Sequence, residues 1–239
     1  MTKAHILVID DEEALCKSIE RLLRKDYQVS LAYSGIQGLK LARRLRPDLV
    51  ILDVLMPGMN GYDTCRELKK DPLLESIPVL FLSALSSVES KIISLEAGAD
   101  DYVVKPFNLK ELTLRIKVLL RRHKKPATQD LPTIIRHGPI ALNSQSFEAT
   151  TAKGVAHLTP IEFDLLYHFM SHPGEVFTSI RLLQDVWDYP SDTGSTDLVR
   201  MHIKNLRHKI EPDPGSPIYI KTIPRHGYTM QINPASEQD

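Results

Sequence analysis

Carboxylate, hydroxyl and ammonium side chains follow the short apolar runs in the first half of this sequence. Asp10 and Asp11 come directly after the first run, and Asp53 ends the third. Ser83 ends the fourth run, and Lys105 comes at the end of the fifth. Three carboxylates can converge only if a cation or a proton compensates their charge, and a cluster of oxygen ligands suits Mg²⁺.

Together these five residues form a set that can carry out phosphoryl transfer. A carboxylate can act as the nucleophile, while a metal, a hydroxyl donor and a lysine position the phosphoryl group and neutralise charge. Any one of the residues alone is better explained as a turn former or a surface lysine. Their joint occurrence at strand ends favours a shared site at one edge of a parallel sheet.

The elements that must position these residues alternate along the first 120 residues. Near-continuous apolar runs predict five strands, at residues 5–10, 28–33, 49–54, 79–85 and 101–105. Helical spacing of apolar residues appears between and after them, for example at 92–96 and 109–119. The alternation predicts an α/β fold, with a doubly wound, parallel five-stranded sheet covered by helices on both faces.

The second half of the chain has a different pattern. After a polar break at 121–132, short extended segments over 133–158 predict a small antiparallel sheet. Residues 159–162, Thr-Pro-Ile-Glu, have the composition of a helix start with a capping box. Three helices are predicted, ending near residues 172, 187 and 210, and a hairpin follows. This order predicts an α+β winged helix-turn-helix domain.

The composition limits the class of protein. The 30 basic and 30 acidic residues balance, which argues against a histone-like polycation, and 42% hydrophobic residues are typical of a globular protein. There is no run of 18 apolar residues, and the N-terminus lacks a signal-peptide pattern. With only two cysteines, we expect a cytoplasmic protein that has no disulfide scaffold and no membrane contact.

The last predicted helix is basic, although its half of the chain is not. Residues 126–239 contain nine basic and thirteen acidic side chains, so their bulk charge argues against DNA binding. Within the helix, however, Arg200, Lys204 and Arg207 share one side. Its apolar stripe consists of Val199, Ile203, Leu206 and Ile210. A basic helix followed by a basic hairpin turn predicts contacts with double-stranded DNA.

The first half of the chain resembles the receiver domain of two-component response regulators over residues 4–122. The resemblance lies in the segments ILVIDDE, LVILDVLMPGMNGYD, VLFLSA and AGADDYVVKPF. It implies a flavodoxin-like fold in which Asp53 accepts a phosphoryl group from a sensor histidine kinase. It also implies that Asp11, Asp53 and the backbone carbonyl of Leu55 hold Mg²⁺, with Asp10 acting through water.

The same resemblance implies roles for three further residues. Lys105, whose bond to Pro106 is often cis in this family, pairs with the acceptor carboxylate or a phosphoryl oxygen. Ser83 hydrogen-bonds a phosphoryl oxygen, and Tyr102 is an aromatic side chain that rotates. A phosphoryl group adds about −1.5 to −2 charge. It is expected to repack the face formed by the fourth helix, fifth strand and fifth helix. The receiver then catalyses only its own phosphorylation and dephosphorylation.

The second half resembles the winged-helix output domain of OmpR/PhoB-like response regulators. The resemblance lies in HLTPIEFDLLYHFMSHPGEVFT, VRMHIKNLRHKIEPDPGSPIYIKTI and HGY. It implies that the last helix reads the major groove, that the hairpin, or wing, reaches the minor groove, and that the loop at 187–196 faces RNA polymerase. The implied helix contacts are Arg200, His202, Lys204, Asn205 and Arg207.

The wing departs from the pattern of that family. Where the family usually has T-[VI]-R-G-x-G-Y, residues 222–228 read TIPRHGY. Pro224 therefore occupies the usual arginine position, and Arg225 occupies the usual glycine position. The minor-groove contact is not assigned to Pro224, and Arg225 is the candidate.

The resemblance also implies a homodimer that forms on phosphorylation through the face of the fourth helix, fifth strand and fifth helix. We predict ion pairs between copies, Lys91 with Glu111 and Asp101 with Arg122, with Arg115 on the same face. The alternative is ordinary solvated charge, because an exposed ion pair contributes roughly 0–1 kcal/mol.

The sequence thus predicts a phosphorylation-controlled transcriptional regulator that binds tandem DNA half-sites. The predicted parts are a receiver at 1–122, a linker at 123–132, a winged-helix domain at 133–233 and a tail at 234–239. One alternative is a DNA-binding protein whose receiver is a phosphorylation-independent dimerisation or protein-binding module, and the complete acidic set counts against it. Another is a doubly wound phosphatase, but Leu55 stands where its second catalytic aspartate is expected.

Overall fold

The chain forms two compact units, residues 1–124 and 125–239. The structure is a computed structural model, and it describes residues 3–84, 97–124, 131–190 and 195–231. The helix predicted around 92–96 and residue Lys91 therefore lie outside the described residues. Within these ranges, every helix is too short or too polar to cross a membrane.

The first unit is a parallel five-stranded sheet, as predicted. Its strands are β1 (His5–Ile9), β2 (Gln28–Ala32), β3 (Leu49–Asp53), β4 (Val79–Ser83) and β5 (Asp101–Val104). Their order in the sheet is β2-β1-β3-β4-β5, the order of flavodoxin-like folds. The described helices are α1 (Glu13–Leu23), α2 (Gly35–Leu45), α3 (Gly61–Lys70) and α4 (Leu109–Lys124).

Burial explains why the strands have continuous apolar sequences. All five residues of β3 and all five of β4 are buried, because helices cover the sheet on both faces. On one face, Val8 and Ile51 pack with Leu112 and Ile116 of α4 in a single cluster. Burial of this apolar surface holds the strand ends, and hence the polar residues that follow them, at fixed positions.

The described part of the second unit contains two antiparallel sheets and three helices. The first sheet has the order β6 (Ile134–His137), β7 (Ile140–Asn143), β8 (Glu148–Thr151) and β9 (Gly154–His157). The helices are α5 (Pro160–Ser171), α6 (Ser179–Asp185) and α7 (Thr196–Ile210). The wing hairpin consists of β11 (Ile220–Ile223) and β12 (Gly227–Met230). The winged helix-turn-helix prediction is confirmed.

Local sequence determines where the helices of the second unit begin. Thr159 and Glu162 form the predicted capping box at the start of α5, with Thr159 N–H donating to Glu162 Oε2 over 2.9 Å. Thr178 caps α6 by accepting from the Arg181 N–H. The sequence analysis missed β10 (Val176–Phe177), which pairs with β12, since a strand of two residues has no measurable period.

Candidate functional sites

The sheet order brings the predicted phosphoryl-transfer residues to one edge. Because β1 and β3 are parallel neighbours with Ile9 opposite Leu52, Asp10 and Asp11 emerge beside Asp53. Ser83 ends β4, the strand next to β3. Lys105 follows β5, two strands or about 10 Å from β3, so its long side chain must extend across the end of β4.

The side chain of Lys105 bridges two of the aspartates. Its Nζ donates to Asp53 Oδ1 over 2.6 Å and to Asp10 Oδ2 over 2.8 Å. Oxygens of Asp10, Asp11 and Asp53 all lie within 4.8 Å of one another. Asp10 and Asp53 are buried and Asp11 is exposed, so the cluster opens to solvent on one side.

Burial and charge act in opposite directions on the pKa of Asp53. Removal from water raises the pKa of this carboxyl, whereas hydrogen bonding and charge attraction from Lys105 partly lower it, and the net shift is upward. For Lys105, burial alone lowers the pKa, but its bonds to Asp10 and Asp53 outweigh this and raise it. The lysine therefore stays charged and compensates the carboxylates.

Backbone groups complete the acidic site. The N–H of Leu55 donates to the Asp53 carboxylate, and the N–H of Glu12 donates to Asp10 Oδ1 over 2.8 Å. Gly61 packs against the same strand end, where a Cβ atom would lie 2.1 Å from the Asp53 carbonyl oxygen. The sequence analysis did not single out Gly61, although its MNGYD context was one signal of the resemblance.

The two predicted switch residues are buried on the neighbouring strands β4 and β5. Ser83 is 3% exposed and Tyr102 is 5% exposed. The backbone N–H of Lys105 donates to the Ser83 carbonyl over 2.7 Å, which aligns the ends of β4 and β5, and the Lys105–Pro106 bond is cis. Movement of Ser83 and Tyr102 on phosphorylation stays a prediction.

Three of the five predicted dimer residues interact with one another within the chain instead. Asp101 is fully buried, and Arg115 Nη1 donates to its Oδ2 over 2.7 Å. Arg115 Nη2 also donates to Glu111 Oε1 over 2.8 Å. The side chains of Lys91 and Arg122 lie outside the described residues, so the pairings between copies stay predictions. In the structure, the Asp101 carboxylate forms its ion pair with Arg115.

Helix α7 carries apolar side chains on one side and basic side chains on another. One of its predicted DNA contacts is wrong. Val199, Ile203, Leu206 and Ile210 are buried, as the predicted stripe requires. His202, predicted as a DNA contact, is only 2% exposed and packs against Trp187 with 5.3 Å between ring centroids. His202 is buried together with its neighbours Met201 and Ile203, so three consecutive residues of α7 face the core. His202 therefore does not belong to the exposed basic face.

The other helix candidates differ in exposure. Arg200 and Lys204 are exposed, whereas Asn205 and Arg207 are partly buried. Arg207 donates to the Ile220 carbonyl over 2.6 Å and to Thr222 Oγ1 over 2.9 Å, which ties α7 to the base of the wing. Burial lowers the pKa of this guanidinium, which nevertheless stays charged.

A concave basic surface lies between α7 and the wing. It has a volume of about 340 Å³, and its lining includes Arg200, Lys204, Arg207, Thr222 and Tyr228. Burial raises the pKa of the Tyr228 hydroxyl, while the charges of Arg200 and Arg207 oppose the rise. Polar and cationic groups of this kind suit phosphate oxygens of a nucleic-acid backbone.

Glu211 also anchors the base of the wing, and the sequence analysis missed it. This fully buried carboxylate accepts hydrogen bonds from the N–H groups of Ile218, Tyr219 and Ile220, at 2.8 to 3.1 Å. It thereby joins the end of α7 to the start of β11. An acidic residue just after a helix carries no signal of this role, because the three donors come from a turn seven to nine residues later.

The turn at the wing tip explains the proline and arginine that depart from the family pattern. The His226 N–H donates to the Ile223 carbonyl over 3.0 Å and closes a four-residue turn. Arg225, at its third position, has φ +66°. A type II turn requires a positive φ at this position and favours proline at the second, where Pro224 lies. Arg225 therefore adopts the backbone conformation that glycine otherwise supplies, and it is exposed at the tip.

Gly227 is the position of the wing where a side chain is least tolerable. It has φ +128°, and a Cβ atom there would lie 1.9 Å from the Phe177 carbonyl oxygen on β10. We expect Gly227→Ala to lower the free energy of unfolding of the second unit by about 2–4 kcal/mol, from backbone strain plus overpacking. The buried Trp187, the single tryptophan of the chain, reports this unfolding by fluorescence in urea.

Gly154→Ala is the matched control in the same unit. Gly154 has φ +119°, but a Cβ atom there meets no atom within 4 Å. Its expected cost is the conformational strain alone, about 1–2 kcal/mol. Equal losses in the two variants would contradict the close packing of the wing against β10.

Comparison with known proteins places both units in described families. Residues 6–117 match the response regulator receiver domain, and residues 153–230 match the C-terminal domain of transcriptional regulatory proteins. The DNA-binding dual master transcriptional regulator RpaA of Synechocystis is 36% identical over 230 residues, with 95% of each chain covered. The chain belongs to the OmpR/PhoB-like response regulators.

Other members of the family agree with this assignment. The DNA-binding response regulator MtrA of Mycolicibacterium smegmatis is 38% identical over 229 residues, covering 95% of this chain and 96% of MtrA. The crystal structure of DrrB, an OmpR/PhoB homologue from Thermotoga maritima, is 33% identical and has a TM-score of 0.51. It covers 97% of this response regulator and 100% of DrrB. The matched domains support phosphorylation-controlled regulation of transcription over a phosphorylation-independent receiver.

Proposed function

We propose that Asp53 of this response regulator accepts a phosphoryl group from a sensor histidine kinase and thereby controls DNA binding by the second unit. One Asp53 carboxylate oxygen attacks phosphorus, the bond from phosphorus to the kinase imidazole nitrogen breaks, and that nitrogen keeps the electron pair. The observation that carries the proposal is the convergence of three carboxylates and Lys105 at one sheet edge.

The acidic cluster has the donor set that Mg²⁺ prefers. Carboxylate oxygens within 4.8 Å of one another, open to solvent on the Asp11 side, suit an ion that takes few protein carboxylates and retains water. Asp11, Asp53 and the Leu55 carbonyl would hold the ion, and Asp10 would act through water. Bound there, Mg²⁺ would supply positive charge to neutralise the transferring phosphoryl group.

The chain's own residues then hold the phosphoryl group and transmit its presence. Lys105, already hydrogen-bonded to Asp53, is placed to pair with a phosphoryl oxygen, and the Ser83 hydroxyl binds another. Inward movement of Ser83 leaves space that the Tyr102 ring follows. The receivers then dimerise through the face that carries Glu111 and Arg115, and the loop at 187–196, described except for 191–194, faces RNA polymerase.

The second unit binds tandem half-sites, with α7 in the major groove and the wing in the adjacent minor groove. The major groove, about 12 Å wide, admits an α-helix. The contacts that fit the exposed surface are Arg200, Lys204 and Arg225, while Arg207 positions the wing and reaches the same concave surface. Asn205 lies at the border of this face.

Lys204 offers a direct test of the helix contact. We expect Lys204→Ala to weaken binding at low salt and to reduce the slope of log K against log salt by about 0.9, the value for one lost phosphate contact. Fluorescence anisotropy with a labelled duplex over a series of KCl concentrations measures the slope. The control is Lys153→Ala, because Lys153 binds the His208 carbonyl at the other end of α7. An unchanged slope in the Lys204 variant would place phosphate contacts elsewhere.

The decisive experiment compares wild type and Asp53→Asn on a genomic DNA pool, each with and without acetyl phosphate plus Mg²⁺. We expect enrichment of repeated half-sites that rises with the donor in wild type only, because an amide does not supply the nucleophilic carboxylate. Asp63→Asn, an exposed carboxylate on α3, is the control and should behave as wild type. Equal enrichment in every sample would refute control by phosphorylation, and no enrichment would refute DNA binding.

A further inference from the structure

The wing tip carries a histidine whose hydrogen-bonding role is set by the backbone. His226 Nδ1 lies 2.9 Å from the Pro224 carbonyl oxygen. Because a carbonyl oxygen only accepts, Nδ1 carries the proton in this contact, and Nε2 of the neutral ring is an acceptor. The side chain is exposed, so this acceptor lies at the protein surface.

The turn holds the ring in a defined place relative to α7. Arg207 of α7 bonds to Thr222, and the turn begins at the next residue, Ile223. The turn is closed by the bond from the His226 N–H to Ile223, and the strands pair again at Gly227. His226 is therefore anchored by its own backbone and by its ring.

We propose that His226 is a specificity-determining residue whose Nε2 accepts a hydrogen bond from the exocyclic N2 amine of guanine in the minor groove. This inference rests on the proposed function, which places the wing in that groove. In the minor groove, A·T and T·A pairs present only acceptors, and G·C adds one donor, the guanine N2 amine. A neutral acceptor fixed at the tip matches that donor and opposes the acceptors of A·T.

The two exposed polar residues of the tip, Arg225 and His226, then have different tasks. Arg225 has only donors, which suit phosphates and the acceptors that all base pairs share in the minor groove. Its contribution is therefore largely independent of sequence. His226 is the residue of the tip that distinguishes G·C from A·T.

The test replaces guanine by inosine, which lacks the N2 amine and leaves the major-groove edge unchanged. The full chain, treated with acetyl phosphate and Mg²⁺, is first used to select a duplex from a random pool. Each G·C pair of that duplex is then changed to I·C singly, and the affinity for each changed duplex is measured. His226→Ala is compared with wild type, and His157→Ala, an exposed histidine on β9, is the control.

We expect one I·C position per half-site to weaken wild type and His157→Ala by about 5- to 10-fold and to leave His226→Ala unchanged, in line with the cost of one lost base contact. Arg225→Ala should lose affinity by the same factor for the G·C duplex and for the I·C duplex, so that it keeps the preference of wild type for G·C. If no I·C position distinguishes wild type from His226→Ala, the His226 inference is wrong while DNA binding stands. If no duplex is selected, the proposed function itself fails.

Discussion

Lys105→Met should lower the free energy of unfolding of the receiver unit by about 2 kcal/mol in buffer without divalent cations, and Mg²⁺ should restore much of it. Removing one member of a buried ion pair costs roughly 3–5 kcal/mol, and we reduce this because Lys105 is 21% exposed. The variant leaves Asp10 and Asp53 facing each other with no lysine between them.

The interaction with Mg²⁺ follows from the same charges. Three carboxylates attract a divalent cation more strongly once the ammonium group that bridges two of them is gone. Mg²⁺ should therefore raise the melting temperature of Lys105→Met more than that of wild type. Phosphorylation by acetyl phosphate should nevertheless fall by about 100-fold, the usual effect of losing one group that stabilises developing charge.

Calorimetry measures the free energy of unfolding and its change with Mg²⁺. Trp187 fluorescence identifies the unfolding transition of the other unit. Lys40→Met removes an exposed lysine of α2 and is the control, with an expected change within about 0.5 kcal/mol. An equal Mg²⁺ effect in wild type and Lys105→Met would contradict a shared electrostatic site. If Mg²⁺ restored the stability of Lys105→Met and phosphorylation were undiminished, Lys105 would have no part in phosphoryl transfer.

Most of the receiver site was predictable because it depends on the ends of parallel strands. Five apolar runs specified the sheet, and parallel strands bring Asp10, Asp53 and Ser83 to one edge whatever the helices do. The sequence does not show that the Lys105 side chain extends far enough to reach across two strands. Nor does it show that Gly61 packs closely against the strand end at Asp53. Both depend on packing of residues that are far apart along the chain.

The second unit shows where periodicity fails. The apolar stripe of α7 was predictable from spacing, but His202, which the family resemblance implied as a DNA contact, is buried. Its burial depends on Trp187, which approaches α7 from a different element. In the sequence, the turn at Arg225 showed only as a departure from the wing pattern of the family. The φ of +66° at Arg225 explains why the family usually has glycine there.

Arg115→Met should lower the free energy of unfolding of the receiver unit by about 3–5 kcal/mol, the cost of leaving one charge of a buried pair uncompensated. Asp101 is fully buried, and Arg115 donates to both of its carboxylate oxygens, at 2.9 and 2.7 Å. The measurement is calorimetry, as for Lys105. Arg121→Met, an exposed position on the same helix, is the control and should change the value by about 0.5 kcal/mol or less.

The double variant Asp101→Asn/Arg115→Met separates charge from packing. An asparagine keeps the acceptor for the Tyr102 N–H, which donates to Asp101 Oδ1 over 2.8 Å, but needs no counter-ion. The double variant should therefore be more stable than Arg115→Met alone, with a coupling of about 1–3 kcal/mol. Additive losses would show that Arg115 acts mainly through packing. A strong coupling would mean that the predicted pairing of Asp101 with Arg122 of a second copy requires Arg115 to release Asp101 first.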